Sequence, residues 1–369
     1  MHIRGSRVGA AAVAFLMAMA VSGVINVASV DAASAEWAWV VVRNPKSEQP
    51  LSPKDRGNST GGVNGFVRVF DNPGWYGVIL PGVQPGAGET GNVLVSALSK
   101  SSRMCVSHKV QYYTDSVQIQ VLCYSSSGAP VDSGFVLNWL TASGTGGRLA
   151  YATDFSPTSN CGTPQDRYAS LGGSISSCPL AGERARVVVP NLGSYKGTAQ
   201  VSARSTLAGS DDSSAGFCGL AAMGPGGGIG GDQFLDAQCF EPGGEGEIYR
   251  TFHVWFMQGL GMKGVVRKNV AYLLAHKPKA SSYAPEASHR YSSAGTVGRV
   301  ERSGTGTYQV TLRGMPLGGS AQVTPFGTAV RHCVISGIRT GTQPQRVGVR
   351  CFDAAGDLAD ARFMLAYAR

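Results

Sequence analysis

The chain ends with the block that decides its fold: Cys333, then Val347-Gly-Val-Arg-Cys351-Phe352-Asp-Ala-Ala-Gly356, then Arg362-Phe363-Met-Leu-Ala-Tyr367. The same block occurs twice before, as Cys105, Val117-Gln-Ile-Gln-Val-Leu-Cys123 and Gly134-Phe135-Val-Leu-Asn-Trp139, and as Cys218, Phe234-Leu-Asp-Ala-Gln-Cys239 and Thr251-Phe252-His-Val-Trp-Phe256. The first cysteines of the three copies are 113 and 115 residues apart, since they stand at 105, 218 and 333. That period is the length of a domain, not of a solenoid unit.

The repeat extends beyond the cysteine blocks. Each copy opens on a strand-like stretch that ends in proline: Ala38-Trp-Val-Val-Val-Arg-Asn-Pro45, Ala150-Tyr-Ala-Thr-Asp-Phe-Ser-Pro157 and Ala271-Tyr-Leu-Leu-Ala-His-Lys-Pro278. We therefore predict three tandem domains, at residues 36–141, 142–259 and 260–369, preceded by a leader at residues 1–35.

Alternation of apolar and polar residues indicates the class of secondary structure. Val117, Ile119, Val121 and Cys123 alternate with more polar neighbours, which is typical of a half-buried strand. Each copy contains about seven such short stretches, separated by turn residues. The prediction is an all-β protein of three tandem antiparallel β-sandwich domains, Ig-like or small barrels, each with a disulfide. Trp139, Phe256 and Tyr367 share one position of the repeat and are expected in the cores.

The first 35 residues read as a secretory signal. Arg4 and Arg7 precede an apolar run at residues 8–21, and Ala33-Ser34-Ala35 is a small-residue cleavage site. A membrane anchor formed by the same residues is the alternative. No later segment is apolar over a spanning length. The predicted location is extracellular. Loss of Arg4, Arg7 and Asp31 would change the net charge from +9 to +8. No run of Lys or Arg concentrates this charge, so nucleic acid is not a predicted partner.

Eight cysteines in an exported chain indicate disulfides rather than metal sites. The repeat predicts three bridges at one shared pair of positions: Cys105–Cys123, Cys218–Cys239 and Cys333–Cys351. Cys161 and Cys178 occur only in the middle copy and are expected to pair with each other. Each bridge closes a loop of about 20 residues, which should contribute about 3 kcal/mol to stability.

Two short motifs resemble catalytic or metal-binding signatures. Gly227-Gly-Ile-Gly-Gly-Asp232-Gln-Phe234-Leu matches a calcium nonapeptide, but a β-roll needs several adjacent copies. Asp132-Ser133-Gly134 resembles the serine neighbourhood of trypsin-like proteases, but the copies share no base and acid to activate a nucleophile. The five histidines after the leader stand at unrelated repeat positions: His108, His253, His276, His289 and His332. We predict no catalytic residues, no metal and no cofactor.

Aromatic residues are the better candidates for binding. Trp75, Tyr112 and Tyr113 stand at turn-like positions of the first copy, and the last copy has no aromatic residue there. Exposed flat rings stack on sugars or on partner side chains. These three residues are the predicted ligand-binding set.

The motif pattern resembles a repeat family of secreted bacterial proteins. The resemblance rests on Ala271-Tyr-x-x-Ala-x-x-Pro278, on Gly304-Thr-Gly-Thr-Tyr-x-Val-Thr-Leu312 and on the final cysteine block. It implies secretion and one cysteine pair per β-domain, without an established activity. The predicted function is therefore a secreted non-enzymatic surface, matrix or ligand-binding module. The expected partners are an anionic cell-wall polymer, a polysaccharide or another extracellular protein. The alternatives are a secreted hydrolase acting on cell walls or polysaccharides, and a secreted inhibitor or toxin.

Overall fold

β-Strands make up the described fold, as the alternating sequence predicts. The structure, a computed structural model, describes residues 36–369 except 47, 62–65, 71, 84, 87–88, 142–146, 155–159, 206–214, 227–229, 245–249, 264–267 and 297. The predicted signal peptide and Gly227 of the calcium-like motif lie outside the described residues. The described residues belong to one compact unit.

The strands are grouped below by the predicted domain boundaries, as segments 1, 2 and 3; the boundaries themselves stay predictions. Segment 1 contains β1 (Trp37–Val42), β2 (Gln49–Pro50), β3 (Arg56–Asn58), β4 (Phe66–Val69), β5 (Trp75–Pro81), β6 (Asn92–Leu98), β7 (Arg103–Tyr112), β8 (Ser116–Ser125) and β9 (Gly134–Leu140). Segment 2 contains β10 (Arg148–Asp154), β11 (Gln165–Ala169), β12 (Ser176–Leu180), β13 (Arg184–Val189), β14 (Thr198–Ala203), β15 (Phe217–Gly226), β16 (Asp232–Phe240) and β17 (Phe252–Gln258).

Segment 3 contains β18 (Val270–Ala275), β19 (Ser282–Tyr283), β20 (Arg290–Ser292), β21 (Arg299–Gly304), β22 (Thr307–Leu312), β23 (Ser320–Phe326), β24 (His332–Ile338), β25 (Gln345–Phe352) and β26 (Arg362–Ala368). A single 3₁₀ turn at Ala287–His289 is the only helical element of the described chain. The described strands number nine, eight and nine per segment, more than the predicted seven. In segments 1 and 3 the excess consists of strands of two or three residues, which escape the alternation signal, whereas all eight strands of segment 2 have at least five residues.

Each segment contains two groups of hydrogen-bonded strands, and because two pairs of these six groups join, the strands form four sheets. The outer groups are ordered β7-β8-β5-β4-β2, β15-β16-β13-β12 and β24-β25-β22-β21-β19, and the inner groups are ordered β6-β9-β1-β3, β14-β17-β10-β11 and β23-β26-β18-β20. β24 joins β6 to make a nine-stranded sheet, and β15 joins β23 to make an eight-stranded one. Two sheets therefore each contain strands of two segments. The all-β class is confirmed, but three separate seven-stranded sandwiches are not.

The segments are linked by three parallel bridges at one shared position. In each segment, the residue two positions after the first repeated cysteine forms a bridge to another segment. The bridges join Ser107 to Arg204, Leu220 to Phe326, and Ile335 to Leu98. Each bridge carries a backbone hydrogen bond of 2.8 or 2.9 Å, from Ser205 to Ser107, from Gly327 to Leu220 and from Ser99 to Ile335. Segment 1 thus contacts segment 2, segment 2 contacts segment 3, and segment 3 returns to segment 1. Head-to-tail contacts of this kind close into a ring.

Four disulfides each lie within one segment, and they are the four predicted pairs: Cys105–Cys123, Cys161–Cys178, Cys218–Cys239 and Cys333–Cys351. The three repeated bridges each join residues that stand directly opposite in the hairpins β7–β8, β15–β16 and β24–β25. Cys161–Cys178 instead fastens the proline-rich crossing to β12, beside the bridge between Gly162 and Ser177. Four disulfides indicate an oxidising extracellular or periplasmic environment.

The cores follow the repeat prediction. Trp139, Phe256 and Tyr367 are fully buried, as expected. Three of the four apolar clusters are centred on one segment each and contain its repeated cysteine pair. The fourth cluster draws on all three segments, through residues such as Leu94, Trp255 and Ala366. Within the described part of the chain, no helix has the length and apolar character needed to span a membrane.

Candidate functional site

The inner strands β6, β14 and β23 meet at the centre of the ring, and their contacts are polar. Gln322 accepts a hydrogen bond from the Ser96 hydroxyl at 2.6 Å and donates to Oδ1 of Asn138 at 3.0 Å. Thr324 donates to Oε1 of Gln200 at 3.0 Å. All five side chains are buried, so these bonds form where the dielectric is low and an unpaired group would be costly.

Two of the three junctions also share a backbone-to-hydroxyl bond. Val323 N–H donates to Ser96 Oγ at 3.2 Å, and Val201 N–H donates to Thr324 Oγ1 at 2.9 Å. Ser202 occupies the same repeat position as Ser96 and Thr324, but its hydroxyl has no hydrogen-bond partner among the described residues. Leu94 stands where the other segments have Gln200 and Gln322, so the polar layer is incomplete at the junction of segments 1 and 2.

A cavity of about 40 Å³, which we call the axial cavity, opens at this defect. All three segments line it, and its polar lining residues are Ser96, Ser202, Arg103 and His332. Its apolar lining includes Met104 and Phe217, which share with His332 the position before the first cysteine of each copy. The ring therefore presents one small, partly polar cavity where its three parts converge.

His332 is the unusual member of this lining. Its Nε2 lies 2.8 Å from the Ser102 hydroxyl, and its ring stacks on Phe352 with centroids 5.1 Å apart. Burial lowers the pKa of His332 to about 4, and Asp353 opposes this effect more weakly. The imidazole is therefore neutral at physiological pH. The histidine breaks an otherwise apolar repeat position, and that break is the sequence signal that could have identified it.

A second buried histidine lies in the junction between segments 1 and 2. His253 Nε2 lies 2.9 Å from Ser107 Oγ, and its Nδ1 lies 2.9 Å from Thr153 Oγ1. We call these three residues the seam triad. The other two junctions have apolar residues at the same repeat positions, Val41, Val136 and Ile335 in one and Leu274, Met364 and Leu220 in the other. Burial, with a smaller contribution from Arg204, holds the pKa of His253 well below its usual range.

The hydrogen bonds of the seam triad continue into segment 1. Asn92 Nδ2 donates to Thr153 Oγ1 at 2.9 Å, and Trp255 Nε1 donates to Asn92 Oδ1 at 2.6 Å. Serine beside histidine suggests nucleophilic catalysis, but His253 and Ser107 are almost completely buried. A nucleophile must reach its substrate, so this arrangement is better suited to joining two segments than to catalysis.

In the protease-like Asp132-Ser133-Gly134, the Asp132 carboxylate accepts hydrogen bonds that hold the start of a neighbouring strand, an arrangement that we call a strand tie. Asp132 Oδ1 accepts from the backbone N–H of Gly74 at 2.9 Å and from the Tyr76 hydroxyl at 3.0 Å. Ser133 Oγ donates to the carbonyl of Gly134. The carboxylate thus anchors the start of β5.

Segment 3 repeats this tie with an added cation. Asp360 accepts from Gly306 N–H at 2.9 Å and from the Tyr308 hydroxyl at 3.0 Å, and it forms two hydrogen bonds with Arg302 at 2.9 and 2.8 Å. Gly306 has φ of +61°, and a Cβ there would stand 2.7 Å from the backbone N of Ala359. Arg302, Gly306 and Tyr308 together lower the pKa of Asp360, with Arg302 as the largest cause.

We expect Asp360→Asn to lower the free energy of unfolding by about 2 kcal/mol, because charge-assisted hydrogen bonds are lost. The carboxylate has a lowered folded pKa, so its contribution is present above the unfolded value of about 3.9 and disappears as the pH falls through the folded value. Urea titrations at pH 7 and pH 3 would measure this difference. Asp132→Asn, which removes the tie that lacks an arginine bond, should cost less; an equal cost would contradict the assigned role of Arg302.

The predicted ligand-binding residues fall into two places. Tyr112 and Tyr113 follow each other at the end of β7 and are 40% and 48% exposed. Trp75 is half-buried, and its ring stacks on His108 with centroids 6.3 Å apart. Tyr112 pairs with Val117 of β8 and Trp75 with Leu122, five residues further along, which is about 17 Å in a strand. The structure brings the two tyrosines together and leaves Trp75 apart.

The two tyrosines differ in what their hydroxyls contact. Tyr112 accepts from Gly91 N–H at 3.1 Å, and burial raises its pKa to about 12. Tyr113 donates to Oε1 of Gln118 at 3.3 Å. Tyr112 is therefore partly a packing residue, whereas Tyr113 belongs to the surface.

Glutamines extend the surface beside Tyr113. Gln111 stands directly opposite Gln118, and Gln120 stands opposite Gly77. We call Gln111, Tyr113, Gln118, Gln120 and Gly77 the glutamine face. Arg68, which pairs with Gly77, adds to this face an exposed guanidinium, and its Nε lies 3.6 Å from Oε1 of Glu48. Sequence alternation could have identified Gln118 and Gln120, since each one separates two buried residues of β8.

Tyr195 is a surface aromatic residue outside the predicted ligand-binding set. It is 62% exposed, the highest value among the large hydrophobic residues of the described chain. Nothing in the strand pattern predicts this exposure, because Tyr195 lies in the connection between β13 and β14.

The residues that the structure describes contain no group of three or more His, Cys, Asp or Glu side chains placed to hold a metal ion. No protein-family model matches the chain, and no curated protein or solved structure matches it.

Proposed function

We propose that the chain is an exported, non-enzymatic protein in which three β-sandwich repeats close into one ring, and that it binds a polysaccharide through the glutamine face of segment 1. The observation that carries this proposal is the arrangement of Gln111, Gln118, Gln120 and Tyr113 on one sheet surface, beside the side-chain-free Gly77. The repeated strand orders and the equivalent junctions support the threefold architecture.

The chemistry of the face suits a sugar chain. Each glutamine amide offers two donors and an acceptor, which match the vicinal hydroxyls of a sugar. The ring of Tyr113 provides a flat apolar surface for stacking. The charge of +8 predicted after leader cleavage would attract an anionic cell-wall polymer at long range.

The positions of Asp132, Asp360 and His253 favour binding over hydrolysis. Asp132 and Asp360 are held in strand ties, and the His253 imidazole is enclosed in the seam triad. A glycosidase needs two carboxyl groups flanking an accessible sugar bond. The glutamine face offers amides there instead.

Incubation of residues 36–369, purified in oxidised form, with insoluble cell walls and polysaccharides tests this function. We expect co-sedimentation without the release of soluble sugar or peptide. Released product would identify a hydrolase and reject the proposal. Retention of a soluble protein, with no polymer bound, would favour the inhibitor or toxin alternative.

Variants of the face give the sharper prediction. Tyr113→Ala and Gln118→Ala should each weaken polymer binding about tenfold, which corresponds to about 1.4 kcal/mol at a typical binding residue. Tyr195→Ala removes a tyrosine elsewhere that is 62% exposed, compared with 48% for Tyr113, and serves as the control. A binding isotherm on the immobilised polymer measures all three; equal losses in the three variants would place the site away from this face.

A further inference from the structure

We propose that the axial cavity is a binding site for a small monatomic anion, of which chloride is the natural representative. The site is distinct from the glutamine face and does not depend on the function proposed above. It lies where all three segments meet and where one of three equivalent hydrogen bonds is missing.

The first argument is the presence of buried donors without partners. The Ser202 hydroxyl and Nδ1 of His332 have no hydrogen-bond partner among the described residues, and these two residues are only 5% and 4% exposed. Both residues line the cavity. The Ser102 hydroxyl can donate to Nε2 of His332, which leaves Nδ1 to carry the hydrogen. Buried polar groups normally find a partner, so two donors without one at a single cavity indicate a ligand.

The second argument is the sign of the charge. Arg103 lines the cavity, and none of the lining residues described is acidic. The guanidinium of Arg250 lies against Gly216, another lining residue. A Cβ added to Gly216 would collide with this guanidinium. Asp353 acts on His332 but does not line the cavity. Hydroxyl and N–H donors beside a guanidinium favour an anion, whereas a metal cation needs acceptor oxygens, nitrogens or thiolates.

The third argument is size. The volume of about 40 Å³ that is open to the centre of a water molecule exceeds the roughly 10–15 Å³ that a single water needs on the same measure. The cavity therefore has room for a monatomic ion. The cavity thus offers one binding position where the three segments meet, beside the Ser202 hydroxyl that has no partner among the described residues.

Crystals of the full chain grown in bromide, with data collected at the bromine absorption edge, test the proposal directly. We expect an anomalous peak within hydrogen-bond distance of Ser202 Oγ and the Arg103 guanidinium. Arg103→Gln should abolish the peak. Arg331→Gln should keep it, because Arg331 occupies the same repeat position in segment 3 and does not line the cavity. A cavity filled by water alone, without anomalous signal, would overturn the proposal.

A solution measurement covers the case in which the variants crystallise poorly. The melting temperature of the intact chain should rise with chloride in a saturable way, relative to gluconate at equal ionic strength, because a ligand that binds only the folded state stabilises it. Arg103→Gln should remove this rise, and Arg331→Gln should retain it. Identical melting temperatures in the two salts for the wild-type chain would reject a chloride site.

Discussion

Replacing His253 by valine is expected to lower the free energy of unfolding by about 2–3 kcal/mol. The change leaves the Ser107 hydroxyl without its partner in a buried position and removes ring volume at the seam between segments 1 and 2. The double variant His253→Val with Ser107→Ile copies Val136 and Ile335 from the junction of segments 3 and 1. It should recover most of the loss, because apolar replacement of a whole buried polar pair is often neutral.

Thr153 need not be changed in this experiment, since Asn92 still donates to its hydroxyl. Chemical denaturation of the oxidised chain at pH 7 measures both variants. A double variant no more stable than the single one would show that the repeat positions are not interchangeable.

The same variants predict how stability depends on pH. Both buried histidines have lowered pKa values, so the unfolded chain takes up protons below about pH 6.5 while the folded chain does not. Stability therefore falls with decreasing pH, by about 1.4 kcal/mol per pH unit for each histidine. His332, with a pKa of about 4, should account for a loss of about 3 kcal/mol between pH 6.5 and pH 4. The double variant should lose stability below about pH 6.5 with a shallower slope than the wild type, because His253 no longer contributes while His108, His289 and His332, whose pKa values are also lowered, still do. An unchanged slope would mean that His253 is not kept neutral by the fold.

The second large effect is expected from Gln322→Leu, which introduces the residue that segment 1 has at the same position. The loss should reach about 3–5 kcal/mol, because Ser96 and Asn138 lose a shared buried partner and the Val136 carbonyl loses a donor. Gln200→Leu is the matched control. Among the residues that the structure describes, the Gln200 side chain bonds only to Thr324 and to Thr198, the latter at 3.4 Å, so its loss should cost less.

Calorimetric melting of the two glutamine variants, with disulfide content verified, compares these effects. If Gln322→Leu and Gln200→Leu are equally destabilising, the central role of Gln322 in joining segments 1 and 3 is contradicted. If neither variant is destabilising, the centre of the ring does not depend on its polar layer.

A local serine motif is a further feature that all three copies of the repeat share. Ser59, Ser170 and Ser293 each follow an arginine by three residues and precede a glycine by two. Their hydroxyls each accept the N–H of an inner strand, from Trp37, Leu149 and Val270, at 3.0–3.2 Å. The side chains act on strands of their own segment, which is why a repeat alignment alone could have found them.

The sequence by itself determined the all-β class, the core aromatic positions and the four disulfide pairs. Alternation and repeated cysteines are local signals, because strand faces have a period of two residues and each hairpin closes within about 20 residues. The closed ring, the seam triad and the axial cavity depended on the tertiary structure alone. Ser107 meets His253 across 146 residues and Ser102 meets His332 across 230. Whether such groups meet is decided by which strand edges pair, and edge pairing follows from the burial of whole sheets rather than from any residue pattern.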